Sequence, residues 1–227
     1  MIILRSITKN YGNHRVLSGI EARFDPGRAY GIIGENGAGK STLFRCICGL
    51  EQFEGDITCD DSRLKDRMGF LPTEPYFFSH MTGREYLTLL CQARGKKPSG
   101  LDEKNVFDLP LDDYAAVYST GMKKKLAFFG LLLQENTVFI LDEPFNGVDI
   151  ESNLLMTEIL HALRKSGKTL LISSHIFSTL NDVCDEILLL SEGKIQSRVG
   201  KEDFKKLEDK MKAVSVGNRL SRLGLDF

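Results

Sequence analysis

Gly34-Glu35-Asn36-Gly37-Ala38-Gly39-Lys40-Ser41 decides the fold, because it fits the phosphate-loop pattern G-x-x-x-x-G-K-[ST] in full. Glycines at these spacings let the backbone curl until several N–H groups face one point, where they bind an anion. The positive end of the helix that follows reinforces this anion site. The pattern predicts that Lys40 reaches the β- and γ-phosphates of a nucleotide and that the Ser41 hydroxyl binds Mg²⁺.

The segments on either side give this loop a context that a chance glycine-rich turn would lack. Ala29–Ile33 has the apolar composition of a buried strand, and Thr42–Cys48 has the pattern of a helix. Gly49 is placed to end that helix. We therefore interpret the loop as a binding site for the phosphates of a nucleotide.

The composition is that of a globular protein with one large domain or two small ones. The chain has 227 residues and a net charge of −1, so it can bury a substantial core and is not built to coat nucleic acid. No apolar run approaches the ~20 residues of a membrane span, and Met1–Arg5 resembles a first strand more than a signal peptide. The scattered cysteines are expected to be reduced core thiols of a cytosolic protein.

Strands and helices alternate along the chain, which predicts an α/β fold with a mainly parallel sheet. Met1–Leu4 and Ile20–Phe24 are expected to form an antiparallel layer at the N-terminus. Further strands are predicted at 56–59, 68–71, 138–141, 169–173 and 186–190, and further helices at 82–94, 122–133, 153–165, 176–184 and 201–212. Thr82 is a plausible N-cap. The run Lys123-Lys124-Lys125 is expected on the solvated face of its helix.

A second part of the site follows the strand Val138–Leu141, where Asp142 and Glu143 stand at its carboxyl end. Ligands of open α/β sheets bind at that end. An Asp-Glu pair alone could equally be a polar turn, but beside a phosphate loop it predicts that Asp142 holds Mg²⁺ and that Glu143 acts as general base on the attacking water. His175 follows another apolar strand and is predicted to contact the γ-phosphate.

These motifs resemble those of the ATP-binding-cassette (ABC) ATPases, in family order and at family spacing over roughly residues 1–200. Three further motifs carry the resemblance. Tyr11 matches the aromatic residue that stacks on adenine, Tyr118-Ser119-Thr120-Gly121-Met122-Lys123 falls at the family's signature motif, and Asn146-Gly147-Val148-Asp149 resembles its dimer-contacting loop. His175 matches the switch histidine of the family.

The resemblance implies an ATPase with a phosphate-loop NTPase core (1–75 and 135–200), an N-terminal antiparallel β layer, a helical subdomain (76–134) and a C-terminal tail (201–227). The implied catalytic residues are Lys40, Glu143 and His175, and the implied Mg²⁺ ligands are Ser41 and Asp142. The implied ATP-binding residues are Tyr11, Gly34, Glu35, Asn36, Gly37, Ala38, Gly39, Lys40, Ser41, Thr42, Ser119 and Gly121.

The resemblance also implies partners. Two chains would pack head to tail, so that Ser119 and Gly121 of one reach the ATP bound by the other. One full set of motifs favours a homodimer. The pair would power a separate transmembrane permease from the cytoplasm, at the inner face of the cell membrane, with no nucleic acid as partner.

Two positions depart from the family pattern. The signature is Ser-Thr-Gly-Met-Lys, and variants with Met-Lys there are similar to those of exporter-type subfamilies. Thr73 stands where the family has a glutamine that contacts Mg²⁺ and links the site to the helical subdomain, with Glu74 as a candidate substitute. Hydrolysis is still expected, because Asp142, Glu143 and His175 are all present.

Several alternatives stay open at this point. The aromatic cluster Tyr76-Phe77-Phe78 either docks the permease or fills the core of the helical subdomain. A switch that binds ATP but turns it over slowly is a second function, supported only by Thr73. A relative that acts on ribosomes or DNA is a third, but the chain has one phosphate loop and no heptad run of useful length.

Overall fold

The computed structural model describes residues 1–60 and 64–212; the predicted tail beyond residue 212 lies outside the described residues. The strands of the described part are β1 (Ile2–Tyr11), β2 (His14–Phe24), β3 (Ala29–Ile33), β4 (Glu54–Cys59), β5 (Met68–Leu71), β6 (Val138–Asp142), β7 (Thr169–Ser174), β8 (Glu186–Ser191) and β9 (Lys194–Gly200). The helices are α1 (Lys40–Ile47), α2 (Gly83–Gln92), α3 (Thr120–Leu133), α4 (Ile150–Lys165), α5 (Phe177–Asn181) and α6 (Phe204–Lys212).

The main sheet has the strand order β5-β6-β7-β3-β8-β9. Its first five strands are parallel, and β9 pairs with β8 in an antiparallel hairpin. Strands β3, β6 and β7 are buried along their whole length, as expected for central strands of a parallel sheet that is covered on both faces. The predicted α/β fold with a mainly parallel sheet is confirmed.

A second, antiparallel sheet with the order β2-β1-β4 forms the predicted N-terminal layer. Its strands are longer than the sequence predicts. The pairing of β1 with β2 shifts register between Leu4 and Ile7 and again on both sides of Lys9. Ser6 takes a positive φ of 53° within this irregular stretch. Such bulges interrupt the alternation of apolar and polar residues by which a strand is detected.

Two apolar cores lie on the two faces of the main sheet. One is enclosed between the antiparallel layer and the sheet, and α1 contributes Leu43, Phe44 and Ile47 to it. The other lies on the opposite face, beneath α3, α4 and α6. Helices α2 and α3 follow β5 and precede β6, in the segment predicted as a helical subdomain, and Thr82 caps α2 through a capping box with Glu85. The subdomain limits remain a prediction.

The C-terminal part of the described chain departs most from the expectation. The predicted helix 176–184 is only Phe177–Asn181, and β9 was not predicted. The 201–212 stretch is a 3₁₀ turn followed by α6, whose Phe204 and Leu207 are buried against the core. Because Lys and Glu dominate this stretch, its two core contacts are hidden in the composition.

Replacement of Phe204 by Ala is expected to lower the free energy of unfolding by about 3 kcal/mol, because a buried aromatic side chain leaves a cavity when it is removed. Its ring packs edge-to-face on Phe177, with the centroids 6.0 Å apart. Urea unfolding measures the loss. Lys205→Ala, on the exposed side of the same helix, is the control and should change stability little. A loss below about 1 kcal/mol for Phe204→Ala would show that α6 does not belong to the cooperative core.

Candidate ATP-binding and hydrolysis site

The phosphate loop forms the turn between β3 and α1, at the carboxyl end of the central strand. Gly39 caps α1 with a φ of 104°, and a Cβ there would lie 2.9 Å from Leu17 Cδ2. Only glycine fits both the left-handed backbone and this close approach. The buried Lys40 ammonium donates to Gly34 O (2.7 Å) and Glu35 O (3.2 Å), so it lies across its own loop. Lys40 is thus held where the phosphate cradle is predicted.

A cavity of about 370 Å³ opens above this loop. It brings together much of the predicted phosphate-binding set with Glu143 and Thr73, and it adds two residues that the sequence analysis did not single out, His14 and Val16 from β2. The lining residues are His14, Val16, Asn36, Gly37, Gly39, Lys40, Ser41, Thr42, Thr73 and Glu143. The antiparallel layer therefore supplies one wall of the cavity, which a reading of the loop alone does not reveal.

Both oxygens of the Asp142 carboxylate accept hydrogen bonds. Oδ1 accepts from Ser173 Oγ at 2.5 Å, and Oδ2 accepts from Thr73 Oγ1 at 2.7 Å. Ser173 pairs with Asp142 across the parallel β6–β7 ladder, and its hydroxyl also accepts from the Glu143 N–H at 2.9 Å. Thr73, which replaces the family glutamine, thus orients the predicted metal ligand.

Glu143 brings the three predicted catalytic residues together. Its Oε2 lies 2.9 Å from His175 Nδ1, and its Oε1 lies 3.4 Å from Lys40 Nζ. Oε1 is buried and makes no hydrogen bond, since the approach of Lys40 is an ion pair without hydrogen-bond geometry. A buried carboxylate oxygen without a hydrogen bond, beside a phosphate-loop cavity, is suited to accept a proton from a ligand or water held there.

The donor set fits Mg²⁺. Ser41 lines the cavity and Asp142 is hydrogen-bonded to Thr73 of its wall, so the Ser41 hydroxyl and the Asp142 carboxylate would offer the hard oxygen ligands that Mg²⁺ prefers. Among residues 1–60 and 64–212, no cluster of three or more His, Cys, Asp or Glu side chains offers an all-protein metal cage. Two oxygen ligands beside a phosphate-binding loop match the way that proteins hold Mg²⁺ together with nucleotide phosphates.

Tyr11, predicted to stack on adenine, lies beside the phosphate-loop helix. Burial raises the pKa of its hydroxyl, as does a hydrogen bond with Glu51, while a hydrogen bond with Thr42 opposes the shift. The Lys9 ammonium sits 4.6 Å from the ring centroid and pairs with Glu51 at 2.9 Å. Lys9 and Glu51, which the sequence analysis did not identify, therefore fix the orientation of this ring.

The signature residues Ser119 and Gly121 do not line the cavity. Ser119 caps α3 by accepting from the Met122 N–H at 3.2 Å, and Gly121 packs against the loop after Glu143. A Cβ on Gly121 would lie 2.6 Å from Gly147 O, so only glycine allows this contact. Neither Ser119 nor Gly121 lines the cavity above Lys40. Within one chain, the structure does not bring them to the phosphate loop.

Lys124 corrects the expectation for the lysine run. It is 1% exposed, and its ammonium donates to Glu143 O at 2.7 Å and to Asn146 O at 3.1 Å. Burial lowers the pKa of Lys124, while the charges of Glu143, Asp142 and Glu74 oppose that shift. Successive helical residues point about 100° apart, so three adjacent lysines cannot share one face. The expectation of a solvated face was wrong for Lys124, and no signal in the sequence separates it from its neighbours.

Ser173 is the missed residue that a signal in the sequence could have revealed. It is a polar residue at the end of an apolar strand, and parallel pairing of β7 with β6 sets it opposite Asp142. Its position could therefore be predicted from the register of two neighbouring parallel strands. His14 and Val16 carry no such signal, because their place in the site depends on how the antiparallel layer sits on the sheet.

The fold and this site define a phosphate-loop ATPase. A family model described as ABC transporter matches residues 17–146. The ABC-type transporter ATP-binding protein EcsA of Bacillus subtilis is 28% identical over 213 residues, which are 87% of this chain and 86% of EcsA. The bacitracin transport ATP-binding protein BcrA of Bacillus licheniformis is 30% identical over 218 residues, which are 88% of this chain and 70% of BcrA.

A solved structure described as an ATP-binding subunit of an ABC transporter is 26% identical, with a TM-score of 0.78 over 92% of this chain and 93% of that chain. The chain therefore belongs to the ABC transporter family, and it is an ATP-binding, ATP-hydrolysing subunit of such a transporter. No helix in the described ranges is long and apolar enough to cross a membrane.

Replacement of Thr73 by Val keeps the shape of the side chain but removes the hydroxyl that orients Asp142. Residues that orient a metal ligand typically contribute 10–100-fold to metal affinity or activity. We expect the Mg²⁺ concentration for half-maximal ATPase activity to rise about tenfold. Thr73→Ser retains the hydroxyl and is the matched control. An unchanged Mg²⁺ dependence in Thr73→Val would mean that this position has no special role.

Proposed function

We propose that Glu143 is the general base with which this subunit hydrolyses ATP, and that Lys40 and His175 assist it. The observation that carries the proposal is the position of one carboxylate, 2.9 Å from His175 Nδ1 and 3.4 Å from Lys40 Nζ, on the wall of the phosphate-loop cavity. The base and the cation thus line the space that the triphosphate would fill, and His175 contacts the base from behind.

Each residue has a separate task. The Glu143 carboxylate takes the proton of the attacking water, and the His175 ring holds that carboxylate and contacts the γ-phosphate. Lys40 exchanges the carbonyl oxygens of Gly34 and Glu35 for β- and γ-phosphate oxygens when ATP enters. Ser41 and Asp142 would hold Mg²⁺, which neutralises phosphate charge when it is bound.

We further propose that two copies of the chain form the working unit, with Ser119 and Gly121 of one facing the ATP of the other. Neither residue lines the cavity of its own chain, and the N-terminus of α3 capped by Ser119 can bind an anion, so a phosphate of the partner's nucleotide is a suitable ligand for it. Helix α3 has 14 residues, enough for its N-terminal dipole to act on a phosphate.

The permease would dock beside β5, at the inner face of the membrane, on the aromatic cluster Tyr76-Phe77-Phe78. Phe77 is buried and packs on Tyr86, whereas Tyr76 is 77% exposed and Phe78 is 57% exposed. The two exposed rings contact each other edge-to-face, 5.5 Å between centroids. Exposed aromatic pairs are typical of protein interfaces, so their exposure supports docking. The Met122-Lys123 variant of the signature favours an exporter.

Replacement of Glu143 by Gln keeps the side-chain shape and removes the base. We expect steady-state ATPase activity to fall at least 100-fold, because general bases contribute 10²–10⁴-fold. The variant should also accumulate as an ATP-bound dimer on a sizing column. Glu158→Gln, an exposed position on α4, is the matched control. Equal, measurable turnover in Glu143→Gln and wild type would refute the assignment. No turnover in either would leave two interpretations, a switch or an ATPase that is active only when docked on its permease.

Replacement of both Tyr76 and Phe78 by Ser should weaken binding to the permease without affecting the site. We expect at least a tenfold drop in co-purification with the transmembrane subunit from detergent-solubilised membranes, since aromatic anchors dominate interface energetics. ATPase activity of the isolated chain should stay within twofold of wild type. Leu89→Ser, another exposed apolar position, controls for a general change of surface. Undiminished co-purification would exclude the cluster as the docking site.

A further inference from the structure

Lys124 is a buried cation that none of the roles assigned above uses. Its ammonium leaves helix α3 and ends between two backbone carbonyls, Glu143 O and Asn146 O. Burial of an ammonium costs several kcal/mol in desolvation unless hydrogen bonds and charges compensate it. A plain core position could be filled by an apolar side chain at no such cost, so the contacts that Lys124 makes need an explanation.

The backbone conformation of Glu143 indicates what the Lys124 contacts do. Glu143 has a positive φ of 51°, a conformation that is uncommon for residues other than glycine and that persists only where the surroundings enforce it. Its N–H donates to Ser173 Oγ at 2.9 Å, and its carbonyl accepts from Lys124 at 2.7 Å. The two peptide groups that flank Glu143 are therefore held by different elements, β7 and α3, which fixes the direction of its carboxylate.

The loop from Asn146 to Asp149 is fastened to the same helix by neighbours of Lys124. Lys125 pairs with Asp149 at 3.1 Å, and Gly121 packs against the carbonyl of Gly147. Lys124 alone among these contacts reaches both that loop and Glu143 itself. The start of α3 and the turn after β6 thus form one mechanical unit, with Lys124 at its centre.

We propose that Lys124 is a positioning residue, which aligns the Glu143 carboxylate with the ATP cavity by tying the Glu143 carbonyl to helix α3. The proposal rests on the proposed role of Glu143 as general base. Because Ser119 and Gly121 begin the same helix, a shift of α3 on binding the partner's nucleotide would reach Glu143 through this ammonium. Lys124 would then link the two composite sites of the dimer.

The test compares Lys124→Met, which has no donor, with Lys124→Gln, which has about the same reach as Met but keeps an N–H donor. We expect kcat of Lys124→Met to fall at least tenfold, because misplacement of a catalytic group by about 1 Å costs up to roughly 10²-fold. KM for ATP should stay within threefold, and Lys124→Gln should fall between Met and wild type. Lys165→Met removes a lysine charge from an exposed position on α4, outside every assigned site, and should retain wild-type kcat.

A role in folding alone is distinguished by the melting temperature. Positioning predicts a drop in kcat with the melting temperature of Lys124→Met within a few degrees of wild type. A kcat within twofold of wild type, a loss confined to KM, or equal losses of kcat and stability in the Met and Gln variants would overturn the proposal. If Lys124→Met does not fold, Lys124→Gln decides: lower kcat at a wild-type melting temperature supports positioning, and wild-type kcat overturns it.

Amide hydrogen exchange without nucleotide separates this proposal from that for Glu143. Lys124→Met should speed exchange in the segment from Phe145 to Asp149 several-fold and leave the central strands unchanged. Unchanged exchange there would overturn the proposed hold on the loop. If Glu143→Gln hydrolyses ATP as fast as wild type, the assignment of Glu143 fails, while this exchange measurement still decides whether Lys124 fixes the loop.

Discussion

The parallel pairing of β3, β7 and β6 is the constraint on which the site depends. Its register places Ile33 beside Ser174 and Asp142 beside Ser173, so the three strands end at the same edge of the sheet. The phosphate loop follows β3, Asp142 ends β6 with Glu143 next in the chain, and His175 follows β7. Because all three strands are buried on both faces, a register slip by one residue would exchange the side chains that fill the two cores and disrupt the packing of both. The hydrophobic packing of the sheet thereby sets the distances between the catalytic groups.

This dependence explains why so much of the fold was readable from the sequence. Central parallel strands are continuous apolar runs, and the predicted bounds of Ala29–Ile33 and Met68–Leu71 agree with the structure. The residues that follow such strands must meet at one edge, which is why the proximity of Lys40, Glu143 and His175 could be predicted. The strands at the edges of the fold were harder to predict from the sequence. Strand β1 is interrupted by bulges, and β9 alternates weakly at the margin of the sheet, where packing demands little of the sequence.

The parts of the site that the sequence did not reveal depend on contacts between distant elements. His14 and Val16 reach the cavity only because the antiparallel layer sits against the phosphate loop. Lys9, near the end of β1, pairs with Glu51, in the segment after α1, and the Nζ–Oε2 distance is 2.9 Å. No local sequence pattern connects these two residues. The burial of Lys124 could not be predicted, since the three adjacent lysines are equivalent in the sequence. Only the rotation of α3 about its axis decides which of them is buried. Helical periodicity indicates that one face turns inward, but polar composition conceals which residue lies on it.

The buried charges of the site are compensated within the protein itself, before nucleotide binds. Lys40 and Lys124 are cations, Asp142 and Glu143 are anions, and all four are buried within one region. An unpaired buried charge would be costly, so each is compensated by carbonyls, hydroxyls or an opposite charge. Lys40 is compensated in part by carbonyl oxygens of its own loop, and phosphate oxygens can take their place as acceptors for the Lys40 ammonium. Lys124 has no such exchange partner, because both of its acceptors belong to the turn that carries Glu143. One buried lysine is therefore arranged to change partners when the nucleotide binds, and the other is arranged to keep them.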